Sequence, residues 1–242
     1  MRQLILSISL LISFSALAQN YKSDIYKAFV NGDMKQWERI LTRMESNYKS
    51  TKDYKLLENI VEVEYGLIGY LIGADKKRDA EPFLEKALEH LDVLMERNDK
   101  VARYWAYKSA FTGFKIGIAP YKAPFLGGKS FDYIDQAIAL DNNNPYVLVE
   151  FANGRYYAPG FAGGDKKVAR ASFKKAIELL EADSLKMLES WYYLMWKTNH
   201  ANMLLEEGKR NEALKAYDEI LEFEPNYSWV RDELKPKAQQ QK

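Results

Sequence analysis

Ala169, Phe173, Ala176 and Leu180 fall at steps of four, three and four along the chain. Ala80, Leu84, Ala87 and Leu91 repeat the pattern, and Ala213, Tyr217 and Ile220 repeat its first three positions. Such steps place every member on one stripe of a helix, with polar residues on the opposite side. Alternating small and large side chains let a second helix approach closely and lock. A matching set of preceding helices supplies that partner: Val101-Ala-Arg-Tyr-Trp-Ala106 aligns with Val147-Leu-Val-Glu-Phe-Ala152. Asp99 is the expected N-cap of the first, and Pro145 suits the first turn of the second.

The punctuation between stripes predicts five helical hairpins. They are Asp24–Asn31 with Met34–Asn47, Asp53–Ile72 with Asp79–Arg97, Lys100–Ile118 with Lys129–Leu140, Pro145–Tyr157 with Asp165–Glu181, and Leu185–Glu207 with Lys209–Phe223. Asn31-Gly32-Asp33, Gly73 and Gly208 mark tight turns. Tyr227–Lys237 is expected to form a capping helix with Ser228 as N-cap, and Ala238–Lys242 a frayed tail. Two further connections echo each other: Ala123-Pro-Phe-Leu-Gly-Gly-Lys129 and Ala158-Pro-Gly-Phe-Ala-Gly-Gly-Asp165. Both read as longer loops, with proline ending one helix and Asp165 capping the next.

The segment Asn199–Pro225 carries the most specific pattern. Ala201, Leu204, Gly208, Ala213, Tyr217, Ile220 and Pro225 stand where a tetratricopeptide repeat (TPR), a helical hairpin of about 34 residues, has its signature positions. The chain resembles that family. The resemblance implies an all-α, right-handed solenoid of about five hairpins whose concave face binds a protein or peptide. Asn144–Glu181 is in addition similar to the TRAP transporter T-component family, which implies a small-ligand binding protein as the alternative. The T-components are typically lipoproteins, and this chain has no cysteine to carry a lipid.

Composition narrows the classes. Arg2, the apolar run Leu4–Leu17 and the small residues around Ala18 form a secretory leader, with cleavage expected after Ala18. Residues 24–238 are then the repeat domain and 239–242 the tail, in a periplasmic or secreted protein. Lys plus Arg number 35 and Asp plus Glu 34. A chain so nearly neutral has no overall electrostatic footprint for nucleic acid or an anionic membrane. No later run is long enough to span a bilayer.

Candidate chemistry is sparse. Gly127-Gly128-Lys129-Ser130 lacks the first glycine and the preceding strand of a phosphate loop. His90 and His200 have no ligand-spaced partners, no serine sits in a G-x-S-x-G turn, and the carboxylates are expected on solvated helix faces. No catalytic residue, metal site or cofactor is expected, and the chain reads as non-enzymatic. Aromatic side chains cluster in the first helix of successive hairpins; Trp105, Phe151 and their stripe-mates are expected in the core. With Ala152 and Ala201 at the small positions, Arg103, Tyr107, Tyr146, Asn153, Tyr156, Thr198, Asn202 and Glu206 face the concave side. Tyr157, which adjoins them, completes the candidate partner-binding set.

Overall fold

A computed structural model describes residues 21–240. The expected leader at residues 1–18 lies outside the described residues, as do positions 241 and 242. The described residues are helical throughout. They comprise α1 (21–30), α2 (Met34–Thr51), α3 (Tyr54–Gly73), α4 (Lys77–Arg97), α5 (Ala102–Ile118) and α6 (Ala123–Leu140). After these come α7 (Pro145–Tyr157), α8 (Lys166–Glu181), the short α9 (Ser184–Met187), α10 (Trp191–Glu206), α11 (Arg210–Phe223) and α12 (Lys235–Gln240).

Each predicted stripe is the contact face of its helix. Ala80, Leu84, Ala87 and Leu91 are buried in α4, Ala169, Phe173, Ala176 and Leu180 in α8, and Ala213, Tyr217 and Ile220 in α11. α4 lies against α3, α6 against α5, α8 against α7 and α11 against α10. Successive hairpins also touch, through α2 with α3, α4 with α5, and α5 with α7. This is an all-helical solenoid. Gly32 and Gly208 adopt left-handed backbone at their turns, with φ of 69° and 76°, which a side chain would strain.

The two echoed connections differ. Ala123–Leu140 is one helix, so Gly127 and Gly128 lie inside α6 rather than in a loop. Pro124 is tolerated there because it stands in the first turn, where its missing N–H has no helical partner to lose. The second copy is a loop because its glycines are needed. Gly163 has φ 93°, and a Cβ on Gly164 would overlap the Ala158 carbonyl. Asp165 caps α8, accepting from Lys167 N at 2.9 Å and Val168 N at 3.0 Å, whereas Lys129 stands at the corresponding place in the first copy. Gly128 is exposed with open space around its Cα. Gly128→Ala is therefore expected to stabilise the protein by about 0.5–1 kcal/mol in urea unfolding, as in any exposed helix interior. A loop glycine with left-handed backbone would give the opposite sign.

Other expected boundaries also move. Asp99 is not the cap of α5; Asn98 Oδ1 accepts from Lys100 N at 3.1 Å, and the Asp99 carbonyl instead receives Trp105 Nε1. Trp105 and Phe151 are only partly buried. The fifth hairpin does not begin at Leu185, because Glu189 turns the chain with φ 50° and Ser190 caps a new helix at Trp191. Ser228 is itself helical and caps nothing; its hydroxyl donates to Val30 O at 2.9 Å. Ala238 is fully buried and its carbonyl accepts from Arg210, so the C-terminal helix holds to Gln240 where fraying was expected.

That Ser228 bond is one of several that join the two ends of the solenoid. Tyr26 donates to Glu224 at 2.9 Å, Ser23 to Glu189 at 2.7 Å, and the Phe29 ring lies 5.2 Å from Tyr227. Trp191 opens α10 and reaches α1, α2 and α3 at once: its ring lies 5.8 Å from Phe29, 5.1 Å from Trp37 and 6.5 Å from Tyr65. Gly66 makes room for it. A Cβ there would stand 2.7 Å from Trp191 Cη2 and 2.8 Å from Trp37 Cζ2. The inner curve is thus occupied by the protein's own aromatic side chains.

Candidate interior site and concave rim

The concave centre is a polar cluster under an aromatic roof. Arg103, in the first turn of α5, bonds Glu62 of α3 through Nη2 and donates to Tyr107 OH from Nε at 3.0 Å. Its guanidinium also lies 3.7 Å from the centre of the Tyr146 ring. The i, i+4 spacing in α5 brings Arg103 and Tyr107 together, and the neighbouring first helices supply the other two. Burial opposes the charge on Arg103, but Tyr107, Tyr146 and Glu62 outweigh it and keep the guanidinium protonated. Such a pre-organised fork is held by charge-assisted and cation–π contacts together.

Beside it lies a second group. Asn153 Nδ2 donates to Glu150 Oε2 at 3.2 Å and approaches Tyr65 OH at 3.5 Å. Glu150 is 8 % exposed. Burial pushes its carboxyl up to about 7, against the hydrogen bonds from Tyr65 and Asn153 that favour the ionised form. The space left between Glu62, Arg103, Tyr107, Tyr146, Glu150 and Trp191 is about 10 Å³, room for roughly one water. A larger cleft of about 260 Å³ opens next to it, between the start of α1, α3 and the α9–α10 connection. Lys22, Asn59, Glu62 and Glu189 are its polar edges, and Trp191 and Tyr192 its aromatic wall.

The expected partner-binding residues therefore separate into two sets. Arg103, Tyr107 and Tyr146 are gathered in the closed centre, with Asn153 at its edge. Thr198 is fully buried and donates to Leu194 O at 2.7 Å, so it presents nothing outward. Asn202 accepts from Tyr217 OH at 2.5 Å within its own hairpin. Only Tyr156, Tyr157 and Glu206 form an accessible rim. Tyr156 OH donates to Glu206, Lys166 Nζ stands 4.9 Å from the Tyr156 ring, and Tyr157 is 77 % exposed.

The sequence reading overlooked two buried carboxylates. Glu64 is fully buried, and its Oε1 lies 2.9 Å from His90 Nδ1. Burial raises Glu64 to about 7, while the His90 contact pulls it back. Burial likewise works against protonated His90, but Glu64 outweighs it and lifts its pKa above the ordinary histidine value. Glu64 and Glu150 were not on solvated faces because α3 and α7 are covered on more than one side. The available signal was an acid set inside an apolar run: Glu64, with Glu62, in Ile60-Val-Glu-Val-Glu-Tyr65, and Glu150 in Val147-Leu-Val-Glu-Phe151. Glu62 and Glu64, two positions apart, point in different directions, to Arg103 and His90 respectively.

No protein-family profile and no curated protein sequence matches the chain. Among solved structures it is similar to a thermophilic TPR protein of Thermus thermophilus. The TM-score is 0.60 at 18 % identity, over 86 % of this chain and 92 % of that one. The fold is the TPR fold. Identity this low carries architecture and no more, so the contacts that fill this TPR solenoid must be read from its own side chains. Among the described residues no cluster of histidine, aspartate and glutamate is placed to hold a metal. No described helix is long and apolar enough to cross a membrane.

Proposed function

We propose that the protein is an exported scaffold of the cell envelope that holds a protein partner on the rim of its solenoid. The observation that carries this reading is the division of the concave residues. The centre is spent on internal contacts, while Tyr156, Tyr157 and Glu206 remain accessible at one end beside Lys166. Tyrosines backed by a rigid helix pair make good anchors, since they bury much area for little lost rotamer freedom. A peptide threaded along the inner curve would first have to displace Trp191 and Tyr146. A docked surface need not. The leader-like residues 1–18 support export, and a periplasmic location follows from that reading.

Native mass spectrometry of the protein from its own envelope, with partner-loss variants, tests this. A bound protein whose complex weakens about tenfold or more in Tyr156→Ala and Glu206→Lys, and not in a control such as Glu222→Ala, is the expected result; loss of one central anchor has that size. A complex indifferent to both rim substitutions refutes rim docking.

One observation favours a second reading, a small-ligand binding protein. The cleft of about 260 Å³ approaches the lower end of small-molecule sites in size. A small added mass on the isolated protein, removed by Tyr192→Ala, would select it over the scaffold.

A further inference from the structure

The near-zero net charge of the chain hides a locally basic stretch around the α5–α6 turn. In a solenoid of alternating helices, all turns inside hairpins lie at one edge and all turns between hairpins at the other. Between Asp99 and Asp132 there is no acidic residue, while Lys115, Lys122 and Lys129 occupy the end of α5 and the start of α6. The next hairpin turn adds Lys167, and Lys166 at 3.5 Å from Glu206, while the carboxylate of Asp165 there is taken up by the backbone of α8.

The basic edge also carries large apolar side chains that the fold leaves uncovered. Phe161 is 96 % exposed, Phe125 and Tyr157 each 77 %, and Tyr121 75 %. They belong to two adjacent turns. Phe131 of α6 lies within 3.7 Å of a Cβ position on Gly163, and Phe125 precedes it on the same helix by about 9 Å of rise. Single exposed aromatics need no explanation, but four on neighbouring tips form a patch. Aromatic rings interleaved with lysines suit the headgroup layer of a bilayer. Rings enter the apolar boundary, and ammonium groups stay among anionic headgroups.

We propose that the α5–α6 and α7–α8 turns dock peripherally on an anionic lipid surface. Lys122 and Lys129 supply attraction, each worth about fivefold in binding near such a surface. Phe125 and Phe161 supply insertion.

The test is co-sedimentation of the protein, recovered after export and with its N-terminus fixed by intact mass, with vesicles. One set contains phosphatidylglycerol and phosphatidylcholine, the other phosphatidylcholine alone. Binding to the anionic set only, released by 0.5 M salt (about a 4 Å screening length), is expected. So is a loss of roughly tenfold or more in each of two double variants, Phe125→Ser with Phe161→Ser and Lys122→Glu with Lys129→Glu. Phe125, Phe161 and Lys129 are exposed and Lys122 is half-buried, and a circular dichroism melt matching the parent shows that each variant folds. Equal binding to both vesicle types, no binding to either, or unchanged affinity in both variants overturns the proposal. A protein ligand or a second copy of the chain at this edge would give the second of these outcomes.

Discussion

Trp191→Ala is expected to lower the free energy of unfolding by about 3–5 kcal/mol, the range for removing a buried large aromatic that neighbours cannot replace. Trp191 is 4 % exposed and packs on Phe29, Trp37, Tyr65 and Tyr192 from four different parts of the chain. The surroundings are poorly placed to collapse onto the void, because Gly66 has no side chain to move into it and Trp37 is tied to Val63 O by its own indole N–H. The loss has a spatial signature as well. Trp191 is where the last hairpin meets the first two, so the variant should lose amide protection first in α1 and in the C-terminal segment that α1 covers. Unchanged protection in α1 and the C-terminal segment would show that the ends are held by the Tyr26–Glu224 and Ser228–Val30 bonds instead. Hydrogen exchange beside urea unfolding distinguishes the two.

Glu150→Gln should raise stability by roughly 3 kcal/mol at pH 8, within a factor of about two, and by little at pH 4.5. In the folded chain burial lifts Glu150 to about 7 from its ordinary 4.5. Between those two values the folded state keeps a proton that the unfolded state has released. Stability from this group is therefore full below about pH 4.5 and lost as pH rises to about 7, opposite to a salt-bridged acid. Glutamine keeps the shape and an acceptor for Tyr65 or Asn153 without a charge to bury. Parent and variant compared by urea unfolding at both pH values isolate the effect, since the slope contributed by Glu64 and His90 is common to them. An equal difference at pH 4.5 and pH 8 would mean that Glu150 does not titrate in this window.

The repeat itself was legible because local pattern and tertiary contact coincide within a hairpin. Ala169, Phe173 and Ala176 face α7 whatever the rest of the solenoid does, so their spacing is enough to place them. The same holds for Asp165, whose cap is a contact with residues two and three positions on. Ser228 is not an N-cap because a residue distant in sequence, Val30, takes its hydroxyl, and Asp99 is not one because the neighbouring Asn98 side chain takes the turn N–H. The two Ala-Pro echoes looked alike, but a single extra glycine and the exchange of aspartate for lysine decide between loop and helix.

The candidate site was legible only in part. The register correctly gathers Arg103, Tyr107 and Tyr146 on one inner side, since all lie on first helices of adjacent hairpins. What covers that side depends on how far the stack curves, a sum of small rotations between hairpins that no single stripe encodes. The sequence by itself determined the helices, their pairing and the small-residue seams, because these follow from steps of three and four along one helix. Only the tertiary structure decided that the inner curve is filled, that Glu64 and Glu150 are buried and that α1 meets the C-terminal segment. Those contacts join residues up to 198 positions apart, and their geometry exists only once the whole stack is assembled.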